Sequence, residues 1–387
     1  MTVYLDNAAS TPPSPEVVEA VARAMREHYA NPSSLHALGA AAARALASAR
    51  EEVAQLIHAE SDEIIFTGSG TEANALGVIG AARAARGRHV VISSIEHAAV
   101  FNSARALMDE GFAVDEVVPQ KDGCLTVDAV LAAVKPETSV VAVMLINNDV
   151  GTLQPVADIA RALRALGRRI HFHVDAVQFA GLEPLDVRTK GADSIAISSH
   201  KLHGPKGIGA LWLRKSKRAN ALYEGGGQEQ GLRSGTENLP AAVGFGVAAK
   251  QAREVGKQVA MRVRELRDQL EAAIFLAVPQ AAPALPPSTP RAPQIAAVLL
   301  PGLPAEPVLH ALETRGVFAS QGAACASHSR EPSRVQRALG IPTSSGMLRF
   351  SLSRLTTEDA IETTAKALAE SVAEVAKVAG TVVNRRR

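Results

Sequence analysis

Apolar residues fall in short, nearly continuous runs at 64–66, 89–93, 114–118, 140–146, 170–174, 194–198 and 210–213. Such runs predict strands buried on both faces. Helix-like segments lie between several of them, at 71–85, 97–110, 126–134 and 156–166. This alternation predicts an α/β fold, with a mainly parallel sheet covered on both sides. After Asn238 a long helical pattern runs to about residue 277. Pro279, Pro283, Pro286, Pro287, Pro290 and Pro293 then interrupt the chain, as a loop or boundary would. A second alternation follows at 295–300, 305–315, 317–319, 332–339, 347–352 and 356–378. The expected organisation is a large domain over 15–250 and a smaller α/β domain built from 1–14 and 251–387.

Composition narrows the function. Among 387 residues, 41 Lys and Arg against 39 Asp and Glu leave a net charge of +2, which argues against a nucleic-acid binder working through a strong basic field. Aromatic residues make up 3% of the chain, too few for a base-stacking surface, so Ala, Val and Leu must fill the core. Cys124 and Cys325 cannot build a disulfide scaffold or a four-cysteine zinc site. The N-terminal residues show no basic segment followed by an apolar run, and no stretch is long and apolar enough to span a membrane. The expectation is a soluble, cytoplasmic protein.

Four segments could carry chemistry. In Ser194-Ile195-Ala196-Ile197-Ser198-Ser199-His200-Lys201 a strand delivers a polar cluster ending in a lysine, whose amine could form a Schiff base if desolvated. A solvated surface lysine is the ordinary alternative. In His171-Phe172-His173-Val174-Asp175 an acid closes an apolar strand, where burial demands a cationic partner such as a pyridinium nitrogen. The alternative is a helix cap; the two histidines suggest metal only weakly, having no further ligand spaced near them. Asp175 and Lys201 are 26 residues apart, about one strand-helix-strand repeat, so neighbouring strands could present both at one sheet edge. In Gly68-Ser69-Gly70-Thr71-Glu72-Ala73-Asn74 a strand turns into a helix whose first N–H groups could hold phosphate, or which is an ordinary turn. Cys325 sits among small and polar residues at 320–330, as a nucleophile or a free thiol, while Cys124 has no supporting constellation.

Together with Tyr4-Leu5-Asp6-Asn7-Ala8-Ala9, Asn31-Pro32-Ser33-Ser34-Leu35-His36, Glu96-His97-Ala98, Asn147-Asn148, Gln154-Pro155, Arg233-Ser234-Gly235-Thr236-Glu237-Asn238 and Arg349-Phe350-Ser351, these segments resemble the NifS/IscS-like cysteine desulfurases. These are pyridoxal 5'-phosphate (PLP) enzymes of the class V aminotransferase family. The resemblance covers nearly the whole chain. It implies the aspartate-aminotransferase-like fold (fold type I), with a mainly parallel seven-stranded sheet in the large domain. It implies that Lys201 holds PLP covalently, Asp175 faces the pyridine nitrogen, and His97 stacks on the ring and helps proton transfer. Gln178 and Asn148 would touch the cofactor, and Gly70, Thr71, Ser198 and His200 would serve its phosphate. Thr236 would be a phosphate contact donated by the partner subunit of a homodimer. Arg349, with Asn148, would hold the substrate carboxylate, and Cys325 would be the nucleophile.

The activity implied is conversion of L-cysteine to L-alanine, leaving a persulfide on Cys325 that passes to an acceptor in iron–sulfur cluster, thio-cofactor or tRNA biosynthesis. An acceptor protein is implied; nucleic acid, membrane and metal are not. Three positions depart from the family pattern: Asp149 for Glu, Ser199 for Gly and Ser353 for Gly. The tail after Val378 also lacks the extended C-terminal pattern of the housekeeping members. Other readings are a selenocysteine lyase or another class V enzyme such as an aminotransferase or epimerase, for most of which Cys325 has no use. A silent binding protein of the same fold would have no use for intact Lys201, Asp175, His97 and Cys325.

Overall fold

A computed structural model describes residues 2–179, 181–183, 185–322 and 333–385, with side chains of the last helix described through residue 378. The strands are β1 (Val3–Tyr4), β2 (Ile64–Thr67), β3 (His89–Ser93), β4 (Ala113–Val117), β5 (Thr138–Met144), β6 (His171–Asp175), β7 (Ser194–Ser198), β8 (Gly209–Leu213), β9 (Ala282–Pro283), β10 (Ile295–Leu300), β11 (Val317–Phe318) and β12 (Gly346–Ser351). Seven of them form one sheet in the order β2-β8-β7-β6-β5-β3-β4. All its pairings are parallel except those of β8, which runs against β2 and β7. The α/β expectation holds, and each apolar run of the sequence reappears as a strand within two residues of its expected ends.

The runs are continuous because both faces are covered. Along β5, Val141 and Val143 join one buried cluster while Val140 and Ala142 join another. Adjacent strand residues point to opposite faces, so alternation of polarity would have placed polar groups in one of these cores.

A second cluster gathers Val3, Leu5, Val298, Leu348, Phe350 and Leu368 around the antiparallel sheet β12-β10-β9. Here β1 pairs with β11, which brings the N-terminal segment beside the last third of the chain. The helix Leu239–Ala277 serves both clusters: Phe245 and Ala248 lie in the first, Leu266 and Leu270 in the second.

Two expectations change in detail. The proline-rich segment is no bare loop, since β9 lies within it and Thr152 bridges to Arg291. The helix expected over 71–85 is interrupted, running as α-helix over Gly70–Ala75, a π-turn over Leu76–Gly80 and α-helix again over Ala81–Ala84. The π-turn lies against β6, where a Cβ on Gly77 would collide with the His173 ring. Such turns tend to occur at functional sites.

Candidate active site

Because β5, β6 and β7 are parallel neighbours, their carboxyl ends open at one edge of the sheet, where open α/β sheets bind ligands. A cavity of about 220 Å³ lies there. Gly70, Thr71, His97, Asn148, Asp175, Gln178, Ser198, His200, Lys201 and Arg349 all line it. Thr236 does not; it is exposed and lies in a separate cleft with Phe66 and Arg233. Cys325 lies outside the described residues.

Asp175 ends β6 and is buried. Its Oδ1 accepts the Val177 N–H at 2.9 Å, so it does cap the short turn Val177–Phe179. Its Oδ2 accepts the Asn74 amide at 2.8 Å. Burial pushes this carboxyl above the usual range, against the pull of His97, the Val177 N–H, Asn74 and Lys201.

A chain of hydrogen bonds stands behind that carboxylate. Asn74 spends its N–H on Asp175, so its Oδ1 must accept, and it does so from His173 Nε2 at 2.9 Å. His173 Nδ1 is then an acceptor for the Ser194 hydroxyl at 2.8 Å, and Ser194 Oγ accepts from His171 Nε2 at 2.8 Å. One tautomer of each ring satisfies the whole series. Burial lowers the pKa of both histidines to about 3, so both are neutral at physiological pH. The pair that might have suggested metal is thus spent on orienting Asp175. Among the described residues no group of three or more His, Cys, Asp or Glu could hold a metal ion.

Lys201 follows β7 in the turn Ser199–Lys201. Its Nζ donates to Ala8 O at 2.5 Å and Ala9 O at 2.8 Å, so the N-terminal segment fixes the amine. Gln178 braces the same carbonyl, donating to Ala8 O at 2.8 Å. His97 caps the helix Ala98–Asp109, its Nδ1 accepting the Ala99 N–H at 3.1 Å.

Next to His97, Glu96 is fully buried. Its Oε1 accepts Ser93 Oγ at 2.5 Å and the Met144 N–H at 2.7 Å. Desolvation raises its pKa to about 8, a neutral acid at pH 7.

At the other rim, Arg349 is buried in β12. Nη1 donates to Asn148 O at 2.9 Å and Nη2 to Asp6 Oδ1 at 2.7 Å, while Nε–H is buried with no partner among the described residues. Ser320 is tied to this arginine in both directions, its N–H to Arg349 O at 3.1 Å and the Arg349 N–H to its carbonyl at 2.6 Å.

The departures from the family pattern are accommodated. Ser199 Oγ lies where a Cβ on residue 204 would be, and residue 204 is glycine. Asp149 Oδ1 accepts the Asn148 amide at 2.6 Å. Ser353 caps a turn, its N–H donating to Thr356 Oγ1 at 3.0 Å.

The donor set fits PLP. Asp175 is a buried anion facing the cavity, suited to a cationic ring nitrogen. The Ser198 hydroxyl is buried with no partner among the described residues, beside the turn that starts the helix at Gly70. A Cβ on Gly70 would come within 2.7 Å of Val177 and 3.1 Å of Ser198, so only glycine permits this close approach. Free N–H groups and a spare hydroxyl suit a phosphate. His200 has its pKa lowered by burial to about 4 and is a neutral partner there.

The sequence profile of aminotransferase class-V matches residues 3–363. The chain belongs to the class-V aminotransferase family. Among class-V relatives, the cysteine desulfurase NifS of Azotobacter vinelandii is 40% identical over 380 residues, covering 97% of this chain and 94% of its own. A cysteine desulfurase of Cereibacter sphaeroides is 42% identical over 365 residues, 93% of each chain. A solved NifS-like protein superimposes with a TM-score of 0.90 at 32% identity, covering 96% of this chain and all of that one.

Reading the sequence gave no role to Asn74, Ser194, Glu96 or Asp6. For the first two a signal existed: His173 and Asp175 share a strand face, and Asn74 is one helical turn beyond Gly70. Asp6 offered none, because its partner is 343 residues away.

Proposed function

We propose that the chain is a PLP-dependent cysteine desulfurase, converting L-cysteine to L-alanine and keeping the sulfur as a persulfide on Cys325. The observation that carries this reading is the meeting of Lys201, Asp175 and Arg349 in one cavity at the carboxyl ends of β5–β7. Lysine, buried carboxylate and guanidinium are what PLP and an α-amino acid require. When bound, PLP supplies an aldehyde for the amines and an electron-withdrawing ring.

Asp175 holds the ring nitrogen protonated, and its hydrogen-bonded backing keeps it in place. Ser198, Thr71, His200 and the start of the Gly70 helix hold the phosphate; Gln178 and Asn148 contact the cofactor. The unpartnered Nε–H of Arg349 and an adjacent Nη–H present a fork for the substrate carboxylate. Lys201 would take and return the proton at the substrate Cα, and His97, which lines the same cavity, would assist.

The Cys325 thiolate attacks the substrate sulfur. An S–S bond forms as the Cβ–S bond breaks, the electron pair stays with the carbon skeleton, and a proton at Cβ gives alanine. Supporting this role, Cys325 follows closely in sequence on Ser320, which is tied to Arg349. Thr236, exposed and outside the cavity, is assigned to the phosphate of a second copy, making the working unit a homodimer. Residues 15–250 form the large domain, and 1–14 with 251–387 the small one, in keeping with the two main hydrophobic clusters. The persulfide passes to a sulfur acceptor.

The test is incubation with L-cysteine, measuring alanine and a 32-Da addition on Cys325, roughly the mass of one sulfur atom, by mass spectrometry. Cys325→Ser keeps the visible absorbance of bound PLP and loses sulfide release. Normal turnover by that variant overturns the assignment of the nucleophile.

A further inference from the structure

Ala8, Gln178 and Lys201 line two cavities. One is the site described above; the other lies behind these residues, between the helix Leu239–Ala277 and the segment Leu352–Arg354 that follows β12. Its walls are largely apolar, including Leu182, Val259 and Leu352, and it reaches the surface beside Val255, which is 40% exposed. It leaves about 40 Å³ for the centres of water molecules. One water needs about 10–15 Å³ of such space, so about three or four fit.

Among the polar groups in these walls, with Gln178, Thr11, His203, Ser353 and Arg354, are two further buried amides. Asn7 donates its Nδ2 to Ser351 O at 2.8 Å and Tyr4 O at 3.3 Å. Gln294 donates its Nε2 to Gln178 O at 2.9 Å. These bonds fix which end of each amide is oxygen, since a flip would set oxygen against oxygen. Asn7 Oδ1 and Gln294 Oε1 are then buried acceptors with no donor among the described residues. The two residues are 5% and 3% exposed, so bulk solvent does not serve them. Both line the same cavity. A buried acceptor left without a donor loses its hydration for nothing in return, so two in one cavity call for a partner.

We propose that this rear cavity holds ordered water on Asn7 Oδ1 and Gln294 Oε1, and that this water connects Lys201 to bulk solvent for proton exchange. The proposal rests on Lys201 being the base of the desulfurase reaction. On taking the substrate's Cα proton the lysine becomes an ammonium. It passes one proton to a cavity water and receives another from that chain, so its hydrogens exchange with no net change of charge. The Ala8 carbonyl, part of the wall shared by both cavities, holds the Nζ at that boundary.

The test runs L-cysteine turnover by the holoenzyme in D2O and reads the isotope at Cα of the alanine by mass spectrometry. Wild type returns mostly deuterium. Val259→Phe fills the cavity and Gln294→Met removes one acceptor. Either is expected to lower Cα deuterium at least threefold, with the absorbance of bound PLP unchanged. Deuterium equal to wild type in both variants overturns the proton route. A high-resolution crystal structure of the holoenzyme tests the site itself: water on both oxygens supports it, and an empty cavity overturns it. Should wild type make no alanine, the desulfurase reading fails instead, and the crystal structure alone decides the cavity.

Discussion

The Asp175 wall and the Arg349 wall face each other across one cavity and are built on opposite terms. Behind Asp175 the hydrogen bonds from His171 to the carboxylate form an unbroken series, running in a single direction through buried groups. At Arg349 the matching is short by one, for the Nε–H is buried without an acceptor among the described residues. A resident cofactor and a transient substrate account for the difference. The group that stays can be met by a fully satisfied network, which is rigid. The group that comes and goes must find a donor kept waiting for it.

The comparison breaks most visibly at Asp175. Asp175→Asn keeps the shape and removes the charge, so kcat for alanine formation falls by roughly a hundredfold or more, the scale of losing one preorganised electrostatic partner. KM for cysteine moves little. A kcat near wild type would show that the buried charge is not used. Arg349→Lys does the reverse. It forfeits the fork and about 1.5–3 kcal/mol of charged hydrogen bonding, raising KM for L-cysteine by roughly ten- to a hundredfold. An unchanged KM would move the carboxylate site elsewhere.

A third test probes the contrast through acid and reads stability rather than turnover. His171 and His173 titrate near 3 in the fold and near 6.5 once unfolded, so between those values the unfolded chain binds more protons. Their contribution is therefore whole above pH 6.5 and drains away as pH falls, by about 1.4 kcal/mol per unit for each ring. His171→Gln should flatten the acid limb of a urea-denaturation series run between pH 6.5 and 4. An identical limb would mean the ring is not buried neutral.

How much of this could be read in the sequence depends on distance along the chain. The strands were legible because double burial forces apolar runs, and Asp175 and Lys201 because each closes such a run. Motif resemblance pointed to Arg349 and His97, which no local pattern singles out. The π-turn was not legible. Its cause is the fit of Gly77 against His173 on another element, and local periodicity carries no trace of it. Nor were the carbonyls of Ala8 and Ala9, whose partner lies more than 190 residues on.

Those two carbonyls give the N-terminus an unusual weight. Leu5 is fully buried, Asn7 and Ala8 are stitched to Ser351, and the turn that follows grips the amine of Lys201. A peptidase that trimmed the first nine residues would remove none of the side chains assigned to hold cofactor or substrate, yet it would leave the lysine unmoored. Damage there would read out as a catalytic defect in a protein whose reactive groups were all intact.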